Sequence, residues 1–105
     1  MDQNATLITV VEQFKQELES RKVRVEKLIL FGSHVNGNIH EGSDIDVVVI
    51  SSDFSTMNYW ERIDCLTEAV YQVGAPIEAS AFTPEEWAAE KSLLIDYAKD
   101  GVSIP

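Results

Sequence analysis

Two short apolar runs, separated by a glycine-rich segment, constrain the fold of this chain more than any other feature. Residues 28–31 read LILF and residues 47–50 read VVVI. Runs of four apolar residues are too short for helices, and β-branched residues bounded by turn-forming residues are typical of buried strands. We therefore predict strands over residues 25–31 and 44–50, joined by a loop over residues 32–43.

Helical patterns lie on both sides of this pair of strands. Before it, apolar residues recur at helical spacing, at Leu7, Val10, Val11, Phe14 and Leu18. After it, the same periodicity runs from residue 59 to residue 73 and ends at a glycine and a proline. The run TPEE at residues 83–86 has the cap, proline and glutamate of a helix start. With a third strand over residues 76–82 and one or two closing helices, the order is α-β-loop-β-α-β-α.

The composition argues against several classes of protein. The 105 residues carry 18 acidic and eight basic side chains, a formal net charge of −10, which disfavours a surface for duplex nucleic acid. No apolar run approaches the roughly 20 residues of a membrane span, and the start does not resemble a signal peptide. A single cysteine, Cys65, cannot form an internal disulfide and suits a cytoplasmic protein. We expect one domain, residues 1–105, in the cytoplasm.

The basic residues are unevenly distributed. Five of the eight lie between Lys15 and Lys27, and none lies between residues 28 and 61. An anion site in the middle of the chain must therefore work without a cation nearby in the sequence.

Asp44 and Asp46 lie two residues apart at the start of the second strand. Their side chains should point to the same face. Carboxylates that close repel unless a cation joins them, and Mg²⁺ typically takes one or two protein carboxylates plus substrate phosphates. A lone D-x-D motif is more often a solvated strand start.

Gly32 and Ser33 directly follow the first strand. A glycine lets the backbone approach a ligand closely, and free N–H groups with the Ser33 hydroxyl can bind phosphate oxygens. Alone, this pair is usually a tight turn. Ten residues separate Ser33 from Asp44, so a phosphate cradle and a metal-binding pair fall on adjacent strands, as phosphoryl or nucleotidyl transfer requires.

Glu78 is the candidate for a third carboxylate. In the strand over residues 76–82, it faces away from the core side that Ile77 and Ala79 occupy. In nucleotidyl transfer, such a group can bind the metal and act as a base toward the attacking hydroxyl. The alternative is a surface glutamate on an edge strand.

The spacing of Gly-Ser, ten residues and Asp-x-Asp resembles the signature of the DNA polymerase β nucleotidyltransferase superfamily. The size and acidity of the chain narrow the resemblance to the minimal nucleotidyltransferases, and it covers nearly the whole chain. It implies an α/β (α+β) fold in which helices flank a small mixed sheet. It also implies a metal-dependent enzyme that uses ATP and two Mg²⁺ ions.

The resemblance assigns roles residue by residue. Catalysis and metal binding go to three acidic residues, Asp44, Asp46 and Glu78. Binding of the nucleotide phosphates goes to Gly32 and Ser33. Two neighbours of these motifs, His34 and Ser43, are further candidates for nucleotide binding.

The resemblance also implies a partner. Many similar proteins are antitoxins encoded beside a HEPN-type ribonuclease toxin, and some transfer AMP from ATP to a toxin tyrosine. We therefore expect a protein partner of that type, in a homodimer or a hetero-oligomer.

Two departures from the family pattern keep an alternative open. Many relatives carry an arginine in the loop where this chain reads His34-Val35-Asn36, and the third acid is Glu78 rather than the commoner aspartate. The alternative is a weakly active or inactive antitoxin that neutralises its partner by contact alone. A polymerase-like or tRNA-modifying domain is less well supported, because the chain has neither a second domain nor a basic groove.

Overall fold

A computed structural model describes residues 3–32 and 44–104, with side chains from residue 7 onward. Its helices and strands, in chain order, are α1 (Gln3–Ser20), β1 (Lys27–Phe31), β2 (Ile45–Ile50), a 3-10 helix (Ser52–Thr56), α2 (Tyr59–Val73), β3 (Ile77–Phe82), α3 (Pro84–Ala89), α4 (Leu93–Ala98) and β4 (Val102–Ile104).

The described strands form one mixed sheet in the order β3-β2-β1-β4. β1 pairs antiparallel with β2 and with β4, whereas β2 and β3 are parallel. The parallel pair requires a crossover connection, which α2 supplies. This α+β architecture, with helices flanking a small mixed sheet, confirms the predicted fold class.

Both faces of the sheet are covered, which explains why the two apolar runs do not alternate with polar residues. On one face of the sheet, α1 and α2 pack against β1 and β2 and form the larger core cluster. Its members include Val11, Phe14, Leu18, Leu28, Leu30, Val47, Val49, Leu66 and Ala69. The opposite face forms a smaller cluster that contacts α3 and α4: Ile29, Phe31, Val48, Ile50 and Ala98, with Phe82, Trp87 and Leu94 against it. Successive residues of β1 and β2 therefore enter different layers.

The predicted helix boundaries follow from local hydrogen bonds. At the start of α3, the Thr83 hydroxyl accepts from the Glu86 amide at 3.1 Å, and the Glu86 carboxylate accepts from the Thr83 amide at 2.8 Å. Asn58 and Glu61 form the same reciprocal cap on α2. Gly74 ends α2 in the left-handed conformation, with φ of 74°. These findings confirm the predicted starts of α2 and α3 and the predicted end of α2.

Three features differ from the sequence-based expectation. All three predicted strands begin later than expected, at Lys27, Ile45 and Ile77 rather than at residues 25, 44 and 76. The connection after β2 contains a 3-10 helix that buries Phe54 completely. The C-terminal tail forms β4, because three residues can pair with the exposed edge of β1 although they are too few to show a periodic pattern. In the described part of the chain, no helix has the length and apolar character needed to cross a bilayer.

Candidate functional site

The parallel pairing of β2 with β3 sets Asp46 directly beside Glu78. Paired residues on neighbouring strands are about 5 Å apart and project to the same face of the sheet. Asp46 is half-buried and Glu78 is exposed. Two carboxylates from different segments of the chain therefore lie side by side at the beginning of both strands.

Gly32 brings the end of β1 against the same position. Phe31, the last residue of β1, pairs with Asp46 in the antiparallel ladder, and the buried Gly32 follows with φ of 82°. A Cβ atom at Gly32 would collide with Oδ2 of Asp46 and stand 3.1 Å from its Cγ. Only a glycine allows both this backbone conformation and this close approach.

Asp44 lies just outside the ladder. It is exposed and immediately precedes β2, whose first amide, that of Ile45, donates to the Pro76 carbonyl at 2.8 Å. The structure thus brings together Gly32, Asp46 and Glu78, with Asp44 two residues upstream of Asp46.

The described carboxylates suit a metal that is shared with a substrate. Among residues 3–32 and 44–104, no group of three or more histidine, cysteine, aspartate or glutamate side chains is arranged to hold a metal ion. Asp46 and Glu78 nevertheless offer the oxygen ligands that Mg²⁺ prefers, and Mg²⁺ commonly needs only one or two carboxylates when substrate phosphates complete its shell. The donor set therefore fits Mg²⁺ in the presence of a nucleotide.

Three of the seven predicted site residues, Ser33, His34 and Ser43, lie outside the described residues. So does Asn36. Their roles in nucleotide binding stay predictions.

Cys65 takes no part in this site. The thiol is half-buried on α2 against the larger core cluster, and burial raises its pKa, an effect that nearby Arg21 opposes. A thiol kept protonated is a poor nucleophile. Cys65 therefore has a structural role in the core.

Sequence reasoning missed a groove along β3. A cavity of about 830 Å³ lies between α2 and the α3–α4 segment, and residues 79–82 line it. The signal that could have indicated it is the run Ala79-Ser80-Ala81, whose small side chains leave space at the side of the strand.

The sequence and the fold are similar to those of known nucleotidyltransferases. A family model described as a nucleotidyltransferase domain matches residues 11–100. Two proteins of Methanocaldococcus jannaschii, each named as a candidate protein adenylyltransferase, are similar to the chain. One is 29% identical over 92 residues, covering 80% of this chain and 87% of that protein. The other is 29% identical over 58 residues, covering 54% of this chain and 59% of that protein, which is less than two thirds of its length.

Two solved structures share the fold. One is a candidate nucleotidyltransferase from Sulfolobus solfataricus, with a TM-score of 0.69 and 19% identity over 94% of this chain and 79% of that one. The other is a toxin-antitoxin structure with AMP-PNP, with a TM-score of 0.63 and 18% identity over 90% of this chain and 71% of that one. Because the family model spans most of the 105 residues, the chain belongs to the nucleotidyltransferase family.

Proposed function

We propose that the protein transfers AMP from ATP to a hydroxyl group of a protein partner, in a reaction that depends on Mg²⁺. The observation that carries this proposal is the juxtaposition of Asp46 and Glu78 with the backbone of Gly32 against them. The chain belongs to the nucleotidyltransferase family, and in nucleotidyl transfer paired carboxylates can bind the metal ion and accept a proton.

The relatives favour a protein acceptor. Both proteins of M. jannaschii are named for protein adenylylation, and one solved relative is a toxin-antitoxin structure with an ATP analogue. We therefore propose a toxin as the acceptor, of the HEPN type that the sequence resemblance implies, and a cytoplasmic site of action.

In the proposed reaction, the acceptor hydroxyl oxygen attacks the α-phosphorus of ATP. The bond from that phosphorus to the bridging oxygen of the β-phosphate breaks, and pyrophosphate leaves. Glu78 accepts the hydroxyl proton, since its exposed carboxylate lies next to Asp46. Asp46 and Glu78, with Asp44, would hold Mg²⁺, which supplies positive charge for the phosphates. Gly32, and Ser33 after it, would receive the terminal phosphates.

The principal test is AMP transfer from labelled ATP to the cognate partner. We expect Asp46→Asn and Glu78→Gln each to reduce the rate by about 100-fold or more, because each removes a charged oxygen ligand. Asp64→Asn is the matched control, since Asp64 is an exposed carboxylate on α2 outside this site. Transfer that persists in the double variant at the rate of the unmodified protein would disprove the proposal.

A second candidate function is neutralisation of the partner by contact alone. The exposed aromatic side chains of α2 favour it: Tyr59, Trp60 and Tyr71 are 67%, 70% and 81% exposed. Aromatic residues are enriched in protein interfaces. If the Asp46→Asn and Glu78→Gln double variant neutralises the partner fully, contact is sufficient. If neutralisation is lost while binding is retained, catalysis is required.

A further inference from the structure

β3 lies at one edge of the described sheet. In every second residue of β3, the backbone amide and carbonyl point away from β2. The amide of Ser51 donates to the Phe82 carbonyl at 3.0 Å, and the amide of Ile45 donates to the Pro76 carbonyl at 2.8 Å. In a parallel ladder, alternate residues of a strand bond to the same neighbour. The even-numbered residues of β3 therefore face β2, and the odd-numbered ones point their amides and carbonyls outward.

Two residues carry the open part of this edge. The Ile77 amide donates to the Ala75 carbonyl at 2.8 Å, and the Thr83 amide donates to the Glu86 side chain, so both ends are occupied. Between them, no described residue outside β2 forms a backbone hydrogen bond with Ala79 or Ala81. An open strand edge of this kind is a template for another strand.

The groove provides room for that strand. Its floor is the run of small residues 79–81, and both walls carry apolar side chains alongside four charged ones, Arg62, Glu85, Glu86 and Lys91. The α2 wall presents Tyr59, Ile63 and Leu66, and the opposite wall presents Ala89, Leu94 and Ile95. A strand laid along β3 would alternate its side chains between these two walls.

We infer that the groove binds an extended segment of the protein partner, which adds to the sheet as a strand beside β3. The six residues of β3 span about 20 Å at roughly 3.3 Å per residue, so the open edge accommodates about four or five residues of the segment. Backbone hydrogen bonds to Ala79 and Ala81 supply affinity, and the apolar side chains of the two walls favour apolar side chains in the segment.

Charge complementarity favours a segment with basic flanks. Within the groove, Arg62 is paired with Glu86 at 2.7 Å, and the exposed Lys91 offsets the exposed Glu85. The excess negative charge lies outside the lining, beginning with the exposed Glu78 next to Ala79. The whole chain carries −10, so a second copy brings the same sign of charge to this edge. A cationic partner is attracted, and a second copy is repelled.

The groove also lies close to the proposed catalytic carboxylates. Its lining begins at Ala79, the residue after Glu78 in β3, so a segment that continues past Ala79 approaches Glu78 and the neighbouring Asp46. If the proposed function holds, the bound segment carries the acceptor hydroxyl.

The test uses the full chain, labelled with ¹⁵N, and the synthetic peptide Lys-Lys-Val-Ile-Tyr-Val-Lys-Lys without nucleotide. At saturation, we expect hydrogen exchange at the Ala79 and Ala81 amides to slow by about tenfold or more, while the Ser80 amide, already turned toward β2, changes little. Shifts confined to α2 or to the other face of the sheet would overturn the inference.

Two control peptides separate strand pairing from general attraction. The peptide with N-methyl groups on its four central amides cannot form the ladder, so its affinity should fall at least about tenfold. The peptide with glutamate in place of each lysine should also bind more weakly. Equal binding by the N-methylated peptide would contradict strand addition.

A protein variant gives the complementary result. Ala81→Pro removes one outward amide and leaves the β2 ladder intact, so it should weaken peptide binding. Slow hydrogen exchange at the Val48 amide in β2 shows that the variant is folded. If the variant is unfolded, the comparison with the N-methylated peptide is the test of strand addition. Slow exchange at Ala79 and Ala81 without peptide would contradict the inference, because the edge would then be covered already. Exchange rates that depend on protein concentration would identify a second copy as the cover, and rates that do not would identify the chain itself. Because no ATP is present, these outcomes are independent of whether AMP transfer occurs.

Discussion

At the scale of single residues, the site depends on the backbone of Gly32. Its positive φ turns the chain at the end of β1, and its missing side chain leaves room for the Asp46 carboxylate. Any other residue would have to push that carboxylate away from its position beside Glu78. The conformation of one glycine therefore controls the placement of a proposed metal ligand.

Gly32→Ala should abolish AMP transfer, and Gly74→Ala is its matched control. Both glycines have positive φ, so both substitutions should cost about 1–2 kcal/mol of stability in urea unfolding. A Cβ at Gly74 meets nothing within 4 Å, whereas one at Gly32 collides with Asp46. We expect transfer of labelled AMP to be lost only in Gly32→Ala. Equal activity of the two variants would show that the position of Asp46 is not critical.

The sequence predicted on which face of a strand these residues lie, but not which residues they contact. Because side chains alternate across a strand, the sequence was sufficient to place Asp46 and Glu78 on the faces opposite Val47 and Ala79. Their adjacency depends on the register between two strands that are far apart in the chain, which no local pattern contains. The collision partner of Gly32 likewise follows from the antiparallel register of β1 and β2. The catalytic roles of these residues stay predictions.

At the scale of elements, strong local signals predicted the helices, and tertiary contacts decided the rest. The reciprocal caps at Asn58 and Thr83 and the stop at Gly74 need only neighbouring residues. β4 forms because its backbone pairs with β1. Its three residues are too few to show a periodic pattern, so the sequence did not predict it. The 3-10 helix after β2 is similarly explained by the burial of Phe54.

Gly101→Ala should destabilise the protein through β4. A Cβ at Gly101 would collide with the Leu30 carbonyl and stand 2.8 Å from Cγ2 of Ile29 and 3.0 Å from the Ala98 carbonyl. Because two of these neighbours are backbone atoms, the strand must shift, and we expect a loss of about 1–3 kcal/mol in urea unfolding. Ala88→Gly, at an exposed position of α3, is a control for which about 1 kcal/mol is expected. An unchanged unfolding midpoint in Gly101→Ala would mean that β4 does not pack as described.

Glu86 should make the junction of α2 and α3 sensitive to acid. The hydrogen bond from Arg62 holds the pKa of Glu86 below its usual value of 4.5, burial opposes this, and the Thr83 amide reinforces it. Because the folded-state pKa is lowered, the stabilisation is complete above the unfolded value and is lost as the pH falls through the folded value.

Glu86→Gln isolates this contribution, since glutamine can still accept the Thr83 amide. The Glu86 side chain is 46% exposed, so screening limits the expected loss at pH 7 to about 0.5–1 kcal/mol. The difference from the unmodified protein should shrink as the pH is lowered below 4.5 in urea unfolding. Glu85→Gln, at an exposed position in the same turn, should show a smaller difference. A constant difference at all pH values would exclude the ion pair as its cause.

At the scale of the whole molecule, the distribution of charge sets the conditions for binding a nucleotide. The chain carries −10 and has no basic residue between positions 28 and 61, the stretch that contains Gly32, Asp44 and Asp46. Glu78 adds a further carboxylate from β3. Triphosphate and carboxylates repel each other, so in the proposed function a divalent cation must offset the negative charge of both.

ATP binding should therefore depend steeply on divalent metal. In titration calorimetry, we expect measurable binding in millimolar Mg²⁺ and a loss of affinity of about tenfold or more in EDTA, because uncompensated like charges then face each other. The Asp46→Asn and Glu78→Gln double variant should bind ATP in EDTA at least as well as the unmodified protein, since it removes two of the repelling charges, and should gain little from Mg²⁺. Asp64→Asn should keep the full response to metal. Tight binding of ATP by the unmodified protein in EDTA would mean that arginine or lysine side chains distant in the sequence hold the phosphates, and that the carboxylates of β2 and β3 serve another purpose.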